Sequence, residues 1–395
     1  RSWTNAPSLD SETEIEVTLE NQGGVILNCV LIDDLPAALV AEPAEMEVTA
    51  FPRVPAPVRY RVEPKERGDW ETGSLYVRYR SPLGLAERWA QAPLAQKVRV
   101  YPALRTGEEQ QIFLARSRQI DLQLRQVRQR GLGRDFESLR EYREGDDLRD
   151  ICWTASARRG SPITRQYQTE RSQPVWIVLD CGRLMRSRVA AMAPGRAALG
   201  ATEPVARVHS KLDFACTTAV SLAQLALFSG DRVGLLAYGQ GIQQRLLPGR
   251  GAAHLRQMIE ALAQVRGEGS EADHLRATTM LNRLQPRRAL ILWITDLAES
   301  AMRPEVIDGA TQLLRRHVLL FVAMAQPEVD QIARTRPRNV EQMFRATAAQ
   351  EMAGRREVLL ARLHEQGALT MDLNPELLTS SVLNQYLMVK ERAMV

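Results

Sequence analysis

The chain has 395 residues, 45% of them hydrophobic and 25% charged, values close to those of folded domains, which argues against disorder or a fibrous repeat and leaves room for two cores. Its 52 basic residues face 47 acidic ones for a formal charge of only +5, despite a pI of about 9.2, so nucleic acid is not an expected partner. Cys29, Cys152, Cys181 and Cys216 show no CxxC spacing, which excludes a zinc knuckle and speaks against a disulfide framework; no run reaches the roughly 18 apolar residues of a membrane helix.

Residues 14–20 alternate apolar and polar through Ile15, Val17 and Leu19, the period of a strand with one buried face. Strand patterns recur at 25–31, 46–50, 58–62, 75–79 and 97–100, separated by Asn-Gln-Gly-Gly, Pro-rich stretches, Gly68-Asp69 and Pro82-Leu83-Gly84. Short strands with turn signals at this spacing predict an immunoglobulin-like β-sandwich over 1–103. The chain opens at Arg1 within a few residues of that pattern, so a signal or membrane anchor is expected upstream of it. Over 108–130 the apolar residues Ile112, Leu114, Ile120, Leu122, Leu124 and Val127 sit among Gln and Arg, a helix-compatible pattern ended by Gly131 and Gly133, giving a connecting helix within 104–133.

From 134 to 395 the pattern becomes α/β. Near-continuous apolar strands at 175–180 (VWIVLD), 232–238 (RVGLLAY), 289–296 (ALILWITD) and 317–324 alternate with helices at 213–228, 252–265 and 273–284 and one between the last two strands. A long helix at 339–366, a strand at 369–373 and a helix from Pro375 close the chain. Such alternation predicts a mostly parallel sheet covered on both faces, with function beyond the carboxyl ends of its strands.

Residues 138–160 read S-L-R-E-Y-R-E-G-D-D-L-R-D-I-C-W-T-A-S-A-R-R-G. This run resembles the signature of the bacterial family called domain of unknown function 58. Glu170-Arg171, the strand ending at Asp180, Gly230 to Leu235, Ile294-Thr295-Asp296 and Pro82 to Leu85 extend the likeness over nearly the whole chain. The resemblance implies a von Willebrand factor A-like, Rossmann-type α/β domain behind the sandwich. It also implies a MoxR-type AAA+ ATPase as partner, and a place on the cytoplasmic side of the bacterial inner membrane, held by helices upstream of this chain. Membrane contact is then expected only through that missing segment.

Metal-binding A domains hold Mg²⁺ with Asp-x-Ser-x-Ser after the first strand, a Thr from a later loop and an Asp after the central strand, oxygen ligands suited to a hard cation. The corresponding run here is Asp180-Cys181-Gly182-Arg183-Leu184, which lacks both hydroxyls. Two readings stay open: a degenerate Mg²⁺ site of Asp180, Ser270 and Asp296, or two aspartates that cap strand ends or pair with an arginine such as Arg183. Within the signature, Arg140, Glu141, Tyr142, Gly145, Asp146, Asp147, Arg149, Trp153, Ser156 and Arg158 are the candidate partner-binding or structural residues; the charged cluster Asp146, Asp147, Arg149, Asp150 and Arg158 either forms an ion-pair lattice that sets Trp153 against the sheet or recognises a partner through arginine forks.

Other motifs fail on context. Gly239-Gln240-Gly241 lacks the third glycine of a dinucleotide loop and reads as a hairpin turn. Arg67-Gly68-Asp69 reads as a turn between sandwich strands rather than an adhesion tripeptide. His209, His254, His274, His317 and His364 fall into no metal spacing, and no GxSxG elbow exists. The expectation is a non-enzymatic protein-interaction scaffold without a resident cofactor, the alternative being Mg²⁺-dependent ligand binding.

Overall fold

A computed structural model describes residues 1–80, 86–103, 111–117, 119, 135–143, 148, 151–168, 173–193, 205–297 and 304–392. The first domain is an antiparallel sandwich. β1 (Ser2–Trp3), β2 (Thr13–Glu20), β6 (Pro55–Pro64) and β4 (Leu39–Glu42) lie side by side in that order; β5 (Glu45–Ala50), β3 (Leu27–Asp33), β8 (Leu75–Arg80) and β9 (Glu87–Ala92) form the facing sheet. β7 (Gly68–Thr72) pairs with β10 (Gln96–Val100) as a ribbon beside them. The alternation read along 14–20 is realised: Ile15 and Val17 are buried with Leu31, Tyr60, Val62 and Val100.

Two departures from the sequence pattern have local causes. Val25 and Ile26 are exposed and precede β3, because the Asn21 amide donates to Val25 O and Ala50 O and prolongs the turn. β9 carries no alternation to read, since five of its six residues face solvent on a sheet edge. The Pro82 to Leu85 motif lies outside the described residues, as does the predicted connecting helix apart from 111–117, which are helical (α1), and residue 119.

The second domain begins with a hairpin, β11 (Asp135–Glu141) and β12 (Ile163–Gln168), that encloses α2 (Trp153–Arg159). Its centre is a six-stranded sheet. Four of its strands are β13 (Pro174–Asp180), β16 (Arg232–Tyr238), β17 (Ile242–Gly249) and β18 (Leu290–Thr295), joined by β19 (Val318–Met324) and β20 (Leu369–Leu373), in the order β17-β16-β13-β18-β19-β20. All neighbours are parallel except the edge strand β17, which returns from β16 through the Gly239 to Gly241 turn. A second ribbon, β14 (Arg188–Ala193) with β15 (Val205–Ser210), follows β13.

Burial on both faces explains why the inner strands read as continuous apolar runs. Along β13, Val175, Ile177 and Leu179 join the core beneath α3 (Lys211–Phe228), α4 (Gly251–Gln264) and α9 (Pro375–Glu391). Trp176 and Val178 point the other way, into the core under α5 (His274–Leu284), α6 (Pro304–Leu314) and α8 (Val340–Glu365). A short helix the sequence pattern did not separate, α7 (Pro327–Arg334), precedes α8 and packs on it. By length and composition α3 is apolar enough to cross a membrane, yet 72% of it is buried inside this fold.

The two domains are latched at the start of α3. Ser210 and Asp213 form a capping box there: the Ser210 hydroxyl accepts from Asp213 N–H at 3.2 Å, and Asp213 Oδ2 accepts from Ser210 N–H at 3.1 Å. The other Asp213 oxygen takes Arg67 Nε at 3.1 Å, and Arg67 Nη1 donates to Val265 O (2.8 Å) and Leu262 O at the end of α4. Arg67 is therefore not the exposed head of a turn; its side chain is 4% exposed. Arg99 and Tyr101 add bonds to Glu260 at 2.8 and 2.7 Å. Arg67→Ala removes the side-chain donor to the Leu262 and Val265 carbonyls and to one oxygen of the capping carboxylate, which costs about 2–4 kcal/mol. Urea unfolding followed by far-UV circular dichroism is expected to show a lowered midpoint, whereas an unchanged midpoint would mean that the latch adds nothing.

Candidate functional site

Parallel strands deliver everything that follows their carboxyl ends to one edge of the sheet, and that edge gathers the aspartate closing β13 and the one following β18. Asp180 and Asp296 are 4% and 1% exposed, so neither is a surface a partner can touch. Asp180 accepts from the Thr295 hydroxyl (2.6 Å) and the Gly182 N–H (2.7 Å). Lys211 Nζ lies 2.5 Å from Asp296 Oδ2, both side chains out of solvent. Gln326 Nε2 donates to the same carboxylate at 3.1 and 3.3 Å. Arg356 comes within 3.5 Å of its other oxygen while making a two-point pair with Asp372 at 2.6 and 3.0 Å.

The ammonium against Asp296 is thus Lys211's and not a guanidinium from Arg183, which is exposed in the 3-10 turn Arg183–Arg186. Sequence reasoning missed Lys211, although a signal existed. It occupies the first position of α3, where a cation opposes the helix dipole, so its placement has to be explained by a partner outside the helix. Burial holds its pKa below the ordinary lysine value, and Asp296 pulls in the opposite direction.

The residues present do not fit the Mg²⁺ of metal-binding A domains. Gly182 and Leu184 offer no side-chain oxygen, and a Cβ on Gly182 would come 2.9 Å from Ala272 N, so the loop is closed to a serine there. Ser270 sends its hydroxyl to Glu268 (3.4 Å) and its carbonyl to the Arg183 N–H (2.9 Å). Among the described residues no three His, Cys, Asp or Glu side chains are grouped to hold a metal ion. The charge that offsets Asp296 is instead covalently part of the chain.

The signature segment lies on the β11–β12 hairpin. Its Ser156 and Gly160 have structural work: the Ser156 hydroxyl donates to Cys152 O and accepts from Ile163 N–H, both at 2.9 Å, and Gly160 ends α2 with φ of 70°, a backbone shape glycine adopts without strain. Tyr142 N–H bonds Pro162 O (2.9 Å) and the Arg140 guanidinium bonds Glu141 O (3.0 Å). Glu141 and Arg158 are exposed. Trp153, expected against the sheet, is instead 72% exposed at the head of α2, a two-turn helix with no buried residue, with Leu148 at 67% and Leu139 at 41% on the same segment. Gly145, Asp146, Asp147 and Arg149, and with them the ion-pair lattice, lie outside the described residues, as does Glu170-Arg171.

Burial, reinforced by Asp296 and Glu268 and opposed by the hydrogen bonds from Thr295 and Gly182, pushes the Asp180 carboxyl up from 3.8 to about 6. The folded state therefore holds a proton that the unfolded chain has released, and stability falls as pH rises between those values, by roughly 3 kcal/mol. Asp180→Asn is expected to remove that slope in urea titrations from pH 4 to 7; parallel profiles for variant and wild type would refute it. Lys211→Met leaves the Asp296 carboxylate buried beside weaker donors, a loss of about 3–5 kcal/mol, and Lys211→Met with Asp296→Asn should recover more than half of it. Equal losses in the single and double variants would show that the pair is not coupled.

The model of the family described as "Protein of unknown function DUF58" matches residues 138–334. Uncharacterized proteins of Mycobacterium tuberculosis (strain ATCC 25618 / H37Rv) and Mycobacterium bovis are each 25% identical over 201 residues, 50% of this chain and 56% of theirs. The chain spans about half the length of these curated relatives. Solved structures similar to it include the conserved hypothetical protein BatB from Bacteroides thetaiotaomicron (13% identity, 56% of this chain and 100% of that one, TM-score 0.33). A von Willebrand factor type A protein from Catenulispora acidiphila is another (11% identity, 58% and 44%, TM-score 0.31). With its signature at 138–160 leading into a mostly parallel six-stranded sheet, the chain belongs to the DUF58 family.

Proposed function

We propose that the chain is a non-enzymatic protein-docking module whose contact face is the exposed side of the signature hairpin, working without a divalent metal. The observation that carries this reading is Trp153, 72% exposed although Ser156 and Gly160 hold its helix in place. A tryptophan left in water forgoes roughly 1.5–3 kcal/mol of burial, and interface hot spots are enriched in such aromatics. Leu139 and Leu148 add apolar surface and Arg158 a guanidinium fork on the same segment. The partner is the MoxR-type AAA+ ATPase that the family resemblance implies, met at the cytoplasmic face of the bacterial inner membrane.

Mg²⁺-dependent ligand capture through Asp180, Ser270 and Asp296 is the alternative. It needs an open cation position at an aspartate whose charge Lys211 already meets at 2.5 Å.

Titration of the purified ATPase against the immobilised chain separates the two. Trp153→Ala and Leu148→Asp are each expected to weaken binding about tenfold or more, with unchanged circular dichroism and no effect of EDTA or added Mg²⁺. Wild-type affinity in both variants would eliminate the signature face, and affinity lost in EDTA and restored by Mg²⁺ would favour the metal reading.

A further inference from the structure

The α7–α8 hairpin rises from the same edge of the sheet. The second half of α8 belongs to the core, where Arg356, Leu359 and Leu363 are buried, whereas its first half is buried only at Ala346 and Ala349. Every residue from 334 to 345 is exposed. Within that run Val340, Met343 and Phe344 are 66%, 50% and 68% exposed, and Ile332 at the end of α7 is 43% exposed. Positions 340, 343 and 344 share one face of the first turns of α8. The run carries a net charge of +3, four arginines against Glu341. Arg345 pairs with that glutamate at 2.7 Å, while among the described residues the guanidinium groups of Arg334, Arg336 and Arg338 make no ion pair.

We propose that this tip enters the interfacial layer of an anionic phospholipid bilayer, seating Val340, Met343 and Phe344 among the upper acyl chains and Arg334, Arg336 and Arg338 at the phosphates. Apolar side chains flanked by unpaired arginines match the layered polarity of a lipid surface whose charge is negative. The start of α8 is prepared for a poorly hydrated layer. Asn339 accepts from Gln342 N–H (2.8 Å) and Met343 N–H (3.0 Å), and the Gln342 side chain accepts from Arg338 N–H (2.8 Å), so three backbone donors at the helix entry need no water. Bilayer contact through this chain's own residues is distinct from contact through an upstream anchor.

Sedimentation of the full chain with vesicles tests the inference. Vesicles of phosphatidylcholine containing about one-third phosphatidylglycerol are expected to pellet the protein, pure phosphatidylcholine at least about tenfold less, and high salt to release it. Phe344→Glu, and separately Arg334, Arg336 and Arg338 all changed to Gln, should each reduce binding about tenfold with unaltered thermal unfolding, because all these side chains are exposed. Trp153→Ala should bind vesicles as wild type does, which keeps this result separable from that of the protein-docking face. No pelleting with the anionic vesicles, or undiminished pelleting of both tip variants, overturns the proposal, and the first result would leave the tip as a protein contact.

Discussion

A carboxylate taken out of water at the end of an inner parallel strand needs a cation or strong donors against it, and for Asp296 the fold supplies Lys211. That requirement sets where α3 begins. Lys211 is its first residue and Asp213 its third, and the two diverge: the lysine runs inward to the sheet edge, while Asp213 closes the capping box and receives Arg67 from the sandwich. One helical turn thus joins the neutralised strand end to the domain latch. The order of charges along it, Asp296, Lys211, Asp213, Arg67, alternates in sign from the centre of one domain into the other.

The same arrangement leaves little charge at the strand ends for recognition. Asp180 is held by Thr295 and the Gly182 N–H, Asp296 by Lys211, Gln326 and Arg356, and Arg356 in turn by Asp372. Among the exposed apolar side chains are Trp153 with Leu148 on the signature hairpin, and Val340, Met343 and Phe344 at the tip of α7–α8. The two surfaces differ in chemistry. The first is an exposed tryptophan on a hydrogen-bonded hairpin, the second three apolar side chains on the first turns of α8 with arginines around them.

Elements whose pattern is set by burial could be read from the chain. The inner strands β13, β16, β18 and β19 announce themselves as unbroken apolar runs because both of their faces are covered, and β2 by its alternation because one is. Elements held by hydrogen bonding alone left no such trace: edge strand β9 is exposed along five of its six residues, and the sequence was silent on the hairpin strands β11 and β12. At the site, Asp180 and Asp296 were legible because motif position marks them. Their environment was not. Lys211 acts across 85 residues of chain, and Arg356 and Gln326 reach Asp296 from elements that periodicity treats as ordinary helix and loop. The placement of Trp153 against the sheet failed for a related reason: local charge pattern does not reveal which side of a short helix a sheet will cover.

The crowding at Gly182 couples two distant positions. With Ala272 N only 2.9 Å from where a side chain would start, restoring a hydroxyl at that position requires the neighbouring loop to yield first, and an ion could settle only after Lys211 had gone. Each of those steps taken singly leaves a less stable molecule, crowded in one case and in the other with Asp296 reduced to Gln326 and the more distant Arg356. Opening this strand edge to a cation therefore needs changes at two separate elements, the loop behind Gly182 and the first turn of α3, and neither substitution alone provides the space and the free carboxylate together.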